Sequence, residues 1–115
     1  MLGDAQKLAI ILGFLPYLAL AGYDGWLHEK ARRVPRPEQV LHALLFVSVV
    51  VLMLGLFRQQ ALLFWPAIAV FTLAGCADEF GFHGQLHARE RRLHHWAYAS
   101  FAGFLGVVAL AGALP

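Results

Sequence analysis

The run from Val40 to Phe57 reads VLHALLFVSVVVLMLGLF, eighteen residues in which only His42 ionises and only Ser48 adds a hydroxyl. A helix rises about 1.5 Å per residue, so this run covers about 27 Å, close to a bilayer hydrocarbon core of about 30 Å. Working outward, Leu8–Tyr23, Ala61–Ala77 and Trp96–Leu114 have the same character, and no charged residue falls in any of the three. The chain has 115 residues, 60% of them hydrophobic and 14% charged. Globular domains in water carry about 25% charged residues. Four apolar runs in so short a chain leave no polar faces for water. We therefore expect an all-α integral membrane protein, a four-helix bundle occupying residues 1–115 as one transmembrane domain. The first run also has signal-peptide features, with Lys7 before it and Ala19-Leu20-Ala21 within it. We read it as a retained helix because the repeat described below needs Asp24 attached to it.

Breakers divide the chain into two helical hairpins, about 1–58 and 59–115. Helix 1 is expected to start at Asp4 as its N-cap, pass Pro16 and overrun the membrane until Val34-Pro35-Arg36-Pro37 stops it. Pro37 suits the first turn of helix 2, and Glu38 suits the positive end of that helix. The short Arg58-Gln59-Gln60 link makes helices 2 and 3 antiparallel neighbours, and Gly81 and Gly84 mark a bend before helix 4. Ala99-x-x-x-Gly103 and Ala102-x-x-x-Gly106 read as ordinary close packing inside the bundle. Lys30, Arg32, Arg33, Arg36, Arg89, Arg91 and Arg92 lie on one side of the predicted membrane, against Lys7 and Arg58 on the other. The positive-inside bias places both termini outside and the basic side in the cytoplasm, in a bacterial inner membrane. The net charge of +2 then reflects topology and contact with membrane lipid, with no nucleic-acid partner implied. The lone Cys76 excludes an internal disulfide.

Chemistry concentrates on the basic side. Asp24-Gly-Trp-Leu-His28 and His83-Gly-Gln-Leu-His87 are two versions of one phrase; Glu38-Gln-Val-Leu-His42 and Glu90-Arg-Arg-Leu-His94 are two versions of a second. Residues four apart share a helix face with Cβ atoms about 6 Å apart. All six histidines and six of the seven acids fall in or beside these segments. Ionisable groups at the ends of apolar helices are expensive unless they pair. Carboxylate and imidazole from several helices form the ligand set of a two-metal centre, so Asp24, His28, Glu38, His42, Glu79, His83, His87, Glu90 and His94 are the candidate metal ligands. The repeat register is open: Asp24-x-x-x-His28 matches His83-x-x-x-His87 by its flanks and Glu79-x-x-x-His83 by its chemistry. His95 lies about 100° round the helix from His94 and points elsewhere.

Carboxylates with imidazoles and no thiolate suit iron, with zinc or manganese as competitors. His83-x-x-x-His87 together with Glu90-x-x-x-His94-His95 resembles the His-box membrane di-iron proteins of the fatty-acid desaturase and hydroxylase class. The resemblance rests on residues 83–95 and implies two irons, a lipid-soluble substrate and an electron donor. This chain departs from the pattern by having fewer histidines and more carboxylates. Ferritin-like di-iron bundles offer a chemical parallel but place Glu and His three residues apart rather than four. The expected function is a membrane di-metal, iron-dependent oxidoreductase, with no catalytic residue assigned. The alternatives are a zinc-dependent membrane hydrolase and a non-enzymatic metal- or haem-binding protein.

Overall fold

The computed structural model describes residues 1–31, 35–82 and 88–115, with side chains over 1–27, 35–81 and 90–115. Among the described residues it contains four α-helices and no strand: α1 (Asp4–Ala31), α2 (Arg36–Phe57), α3 (Ala61–Phe82) and α4 (Ala88–Leu110). All four are long and apolar enough to cross a membrane. At about 1.5 Å per residue, the 22 residues of α2 or α3 give about 33 Å, while the 28 of α1 give about 42 Å. The extra length of α1 is its polar end beyond Tyr23, and the helix runs on without a break to Ala31.

Packing joins α2 to α3 and α1 to α4. Each packed pair therefore draws one helix from residues 1–58 and one from residues 59–115. Each pair is a compact unit. On α3 the buried positions are Phe64, Ala67, Phe71, Ala74 and Asp78, with Gly75 beside them; on α4 they are Glu90, His94, Ala97, Phe101, Phe104 and Val108. Steps alternating between three and four residues trace one narrow stripe along each helix, the period of knobs-into-holes packing. Each stripe is apolar for most of its length and ends in ionisable groups. Outside the stripes the order is reversed, with Leu62, Leu73, Phe46 and Leu110 exposed by 89%, 71%, 71% and 91%.

In the α2·α3 pair, Pro35 precedes the helix in an extended conformation (φ −67°, ψ 155°), and the Gln39 amide donates to its carbonyl at 3.0 Å. Pro37 and Glu38 occupy the first turn, where a missing amide hydrogen does no harm. The far end closes with paired bonds, Gln60 N–H to the Gly55 carbonyl at 2.8 Å and Gln59 N–H to the Leu56 carbonyl at 3.1 Å. This is a Schellman cap, and it places Gln59 in the left-handed region at φ 54°. The Gln59 side-chain amide offsets part of that strain by donating to the Leu56 carbonyl at 2.8 Å. Gly55 is needed here for a different reason: a Cβ on it would sit 2.7 Å from the Phe64 amide nitrogen and 2.9 Å from Leu63 Cβ. Only glycine lets α3 start so close to the end of α2.

The α1·α4 pair closes in a similar way. Ala113 N–H donates to the Val108 carbonyl at 3.0 Å and Gly112 N–H to the Ala109 carbonyl at 3.0 Å, with Gly112 at φ 67°. Asp4 is the first helical residue of α1 and not its cap. The N-cap position belongs to Gly3, whose amide donates to Gln6 Oε1 at 2.9 Å, half of a capping box. The other end of the same side chain, Gln6 Nε2, donates to the Ala111 carbonyl at 3.0 Å and ties the helix ends together. Phe14, Tyr17, Phe101 and Phe104 form an aromatic cluster between the helices, with Phe14–Phe104 and Tyr17–Phe101 ring centroids 5.2 and 5.1 Å apart.

The small residues of α4 do not pack as the sequence led us to expect. Gly103 and Gly106 are exposed, and a Cβ on either meets nothing within 4 Å. Close approach in this pair occurs at Gly13, where a Cβ would lie 3.1 Å from Val107 Cγ1. The two kinds of glycine should respond oppositely to alanine. Gly103→Ala gains helix propensity of about 1 kcal/mol with nothing to strike. Gly55→Ala strikes backbone that cannot give way, so overpacking of about 1–3 kcal/mol outweighs the same gain. Thermal unfolding in detergent is expected to show a lower midpoint for Gly55→Ala and an equal or higher one for Gly103→Ala.

Candidate metal centre

Glu38 and His42 enter from the first two turns of α2, and Asp78 enters from the last two turns of α3. Because the helices are antiparallel neighbours, these stretches lie at the same end of the pair. Glu38 is wholly buried, Asp78 is 2% exposed, and the His42 side chain retains 33% exposure. His42 Nε2 lies 3.4 Å from Asp78 Oδ2 and 3.8 Å from Glu38 Oε1. One donor atom from each of the three side chains lies within 4.8 Å of the others.

Two ligands each about 2.1 Å from one ion are roughly 3.0–3.4 Å apart at octahedral or tetrahedral angles. The Asp78–His42 separation already meets that range, and the Glu38–His42 separation of 3.8 Å lies a few tenths of an ångström outside it. The charges also fit. Two carboxylates and a neutral imidazole carry −2 between them, which a divalent ion cancels. The donor set suits iron, manganese or zinc.

The other candidates fall as follows. In the α1·α4 pair, Asp24 Oδ2 lies 2.8 Å from His94 Nε2, and Glu90, four residues before His94, is 7% exposed. Asp24 shares a face of α1 with the His28 position, as its spacing predicts, and its carboxylate meets a histidine of α4. Glu79 is half-buried and outside the group around His42, where its neighbour Asp78 takes the buried place. His83 and His87 lie outside the described residues, as does the side chain of His28. The register of the second phrase against the first therefore stays as the sequence leaves it. His95 is exposed, as its position beside His94 predicts.

Asp78 is the residue that sequence reasoning passed over. Its signal is the stripe itself: counting back from Asp78 by four, three, four and three reaches Ala74, Phe71, Ala67 and Phe64, all buried. The same steps from Glu79 reach Gly75, Thr72, Ile68 and Trp65, of which only Gly75 is buried. Composition does not separate these two rows, and only packing against α2 does.

Beside the second group, Tyr23, Arg92, Leu93 and Trp96 line an open cleft of about 430 Å³. Tyr23 stacks on Trp26 with ring centroids 6.0 Å apart, and Tyr98 packs edge-on to the His94 imidazole at 6.4 Å.

Asp78→Asn is expected to weaken metal retention by the α2·α3 pair by at least about tenfold, the scale of losing a well-placed ligand partner. Glu79→Gln is expected to leave retention unchanged. Elemental analysis of the two purified variants checks the assignment. No protein-family model, curated protein or solved structure matches this chain.

Proposed function

We propose that the protein is an integral membrane metalloprotein that binds a divalent metal through Glu38, His42 and Asp78 and, with iron bound, serves as an oxidoreductase acting on a lipid-soluble substrate. The observation that carries the reading is the group itself: two buried carboxylates against one imidazole, at the end of an otherwise apolar stripe. Ionisable side chains so placed in an apolar helix pair mark a functional centre by default. Exposed Leu, Phe and Val along four helices of membrane-spanning length favour lipid as the surrounding medium.

Seven of the nine basic residues lie in or beside the α1–α2 and α3–α4 connections, which favours the cytoplasmic leaflet for this end of the helices. There a soluble electron donor can approach from water and an apolar substrate from lipid. In the α1·α4 pair, a cleft lined by Tyr23, Leu93 and Trp96 has aromatic and aliphatic walls suited to an apolar molecule, and Arg92 offers a cation for an acidic headgroup. Bound iron supplies the one-electron chemistry that no side chain of this group provides. Glu38 and Asp78 would balance the charge of such an ion, and the partly exposed His42 would ligate it from beside them. A transport reading has less support. Ser48 and Ser100 spend their hydroxyls on the Leu45 and Ala97 carbonyls of their own helices, both at 2.8 Å, and Thr72 is exposed. No line of polar groups leads from the centre along the described stripes.

Two measurements test the proposal. The protein is expected to stay in the membrane pellet after an alkaline carbonate wash; release into the supernatant would overturn membrane integration. Protein purified in detergent without added metal is expected to contain iron, with absorption that bleaches on reduction and is reduced in His42→Ala. Zinc in its place, with no visible or redox-active spectrum, would overturn the iron reading in favour of hydrolytic chemistry.

A further inference from the structure

We propose that the α1·α4 pair holds a second divalent-metal site, built from Asp24, Glu90 and His94 and equivalent to the Glu38, His42 and Asp78 group. The inference rests on the metal-binding reading of that first group. It adds a separate set of ligands and a stoichiometry of two ions per chain.

The equivalence begins in the sequence. Glu38 and Glu90, Leu41 and Leu93, His42 and His94, and Ser48 and Ser100 are identical pairs, each fifty-two positions apart. The structure extends the match beyond residue identity. Ser48 donates to the carbonyl of Leu45 and Ser100 to that of Ala97, again fifty-two positions apart and both at 2.8 Å. Leu52 and Phe104 occupy matching core positions, as do Leu56 and Val108, and all four are at most 1% exposed. Both helices end in the same Schellman pairing of amides with carbonyls five and three residues back. Helices α2 and α4 thus match at a constant offset from the Glu-x-x-x-His start through Leu56 and Val108, and α4 closes one residue later than α2. In each case the antiparallel partner helix contributes an aspartate: Asp78 of α3 comes within 3.4 Å of His42, and Asp24 of α1 within 2.8 Å of His94.

A second observation, independent of the repeat, points to a missing ligand. Glu90 is 93% buried by the complement of its 7% exposure, and its Oε2 accepts no hydrogen bond among the described residues. A carboxyl oxygen in such a place is costly unless a donor or cation meets it. A divalent ion bound by Glu90, His94 and Asp24 meets that need. It requires the Asp24–His94 contact to open from 2.8 Å to the roughly 3.0–3.4 Å expected of two ligands on one ion, and the Glu90 carboxylate to turn toward them, because among the described residues only Glu38, His42 and Asp78 already hold their donor atoms within 4.8 Å of one another.

The test is titration of the full-length, metal-stripped protein in detergent with Fe(II) under anaerobic conditions, followed by elemental analysis after desalting. Wild type is expected to retain two ions, His42→Ala and His94→Ala one each, and the double variant none. The near-isosteric Glu90→Gln and Asp24→Asn variants are expected to retain one ion, and circular dichroism confirms that their helices persist. A wild type that retains one ion, lost in His42→Ala and kept in His94→Ala, overturns the second site and leaves the first intact. Two ions retained by Glu90→Gln, Asp24→Asn and His94→Ala alike overturn the assignment of these ligands. No ion retained by wild type overturns both sites.

Discussion

Each helix pair depends on how its buried acids are neutralised at one end of an apolar stripe. Leu, Phe and Val along α2 and α3 supply close packing, but such contacts are similar from one turn to the next. When the alternative surroundings are also apolar, they discriminate weakly between registers. Glu38, His42 and Asp78 are specific. Sliding α3 by one helical turn, about 5.4 Å, would carry Asp78 out of reach of His42 and leave two carboxylates buried apart. At the opposite end, Gly55 admits the Phe64 amide and the Schellman cap fixes the turn. The pair is pinned at both ends, by charge at one and by close backbone contact at the other.

This division of labour explains what the sequence reveals and what it withholds. Hydropathy alone marks four helices, because nothing but a helix of that length and composition satisfies its own backbone in an apolar medium. The Glu-x-x-x-His phrases are also legible, since a spacing of four fixes a shared face whatever the helix packs against. The choice of Asp78 over Glu79 is not legible, because adjacent acids differ by about 100° of rotation and only the partner helix selects between them. Pairing across the sequence halves is hidden for the same reason. Asp24 shares a face with His28 by spacing, yet the histidine its carboxylate meets is His94, seventy positions away.

The donor chemistry narrows the function more than the fold does. An apolar helix pair can serve many purposes, and its purpose lies in the site it carries. Two acids to one imidazole favour a hard or borderline cation over the soft metals that thiolates hold. His42 is partly exposed while Glu38 and Asp78 are buried. Trp96 and Tyr23, exposed beside Arg92, give the α1·α4 pair the mixed apolar and cationic surface that amphiphiles favour.

The paired side chains have a crossed origin. Glu38 and His42 belong to residues 1–58 and their aspartate to residues 59–115; for His94 and its aspartate the assignment is reversed. Two separate half-length chains packing through the same contacts would bring these side chains together only by meeting each other, at a yield set by their concentration in the bilayer. A single polypeptide holds both contacts without that dependence.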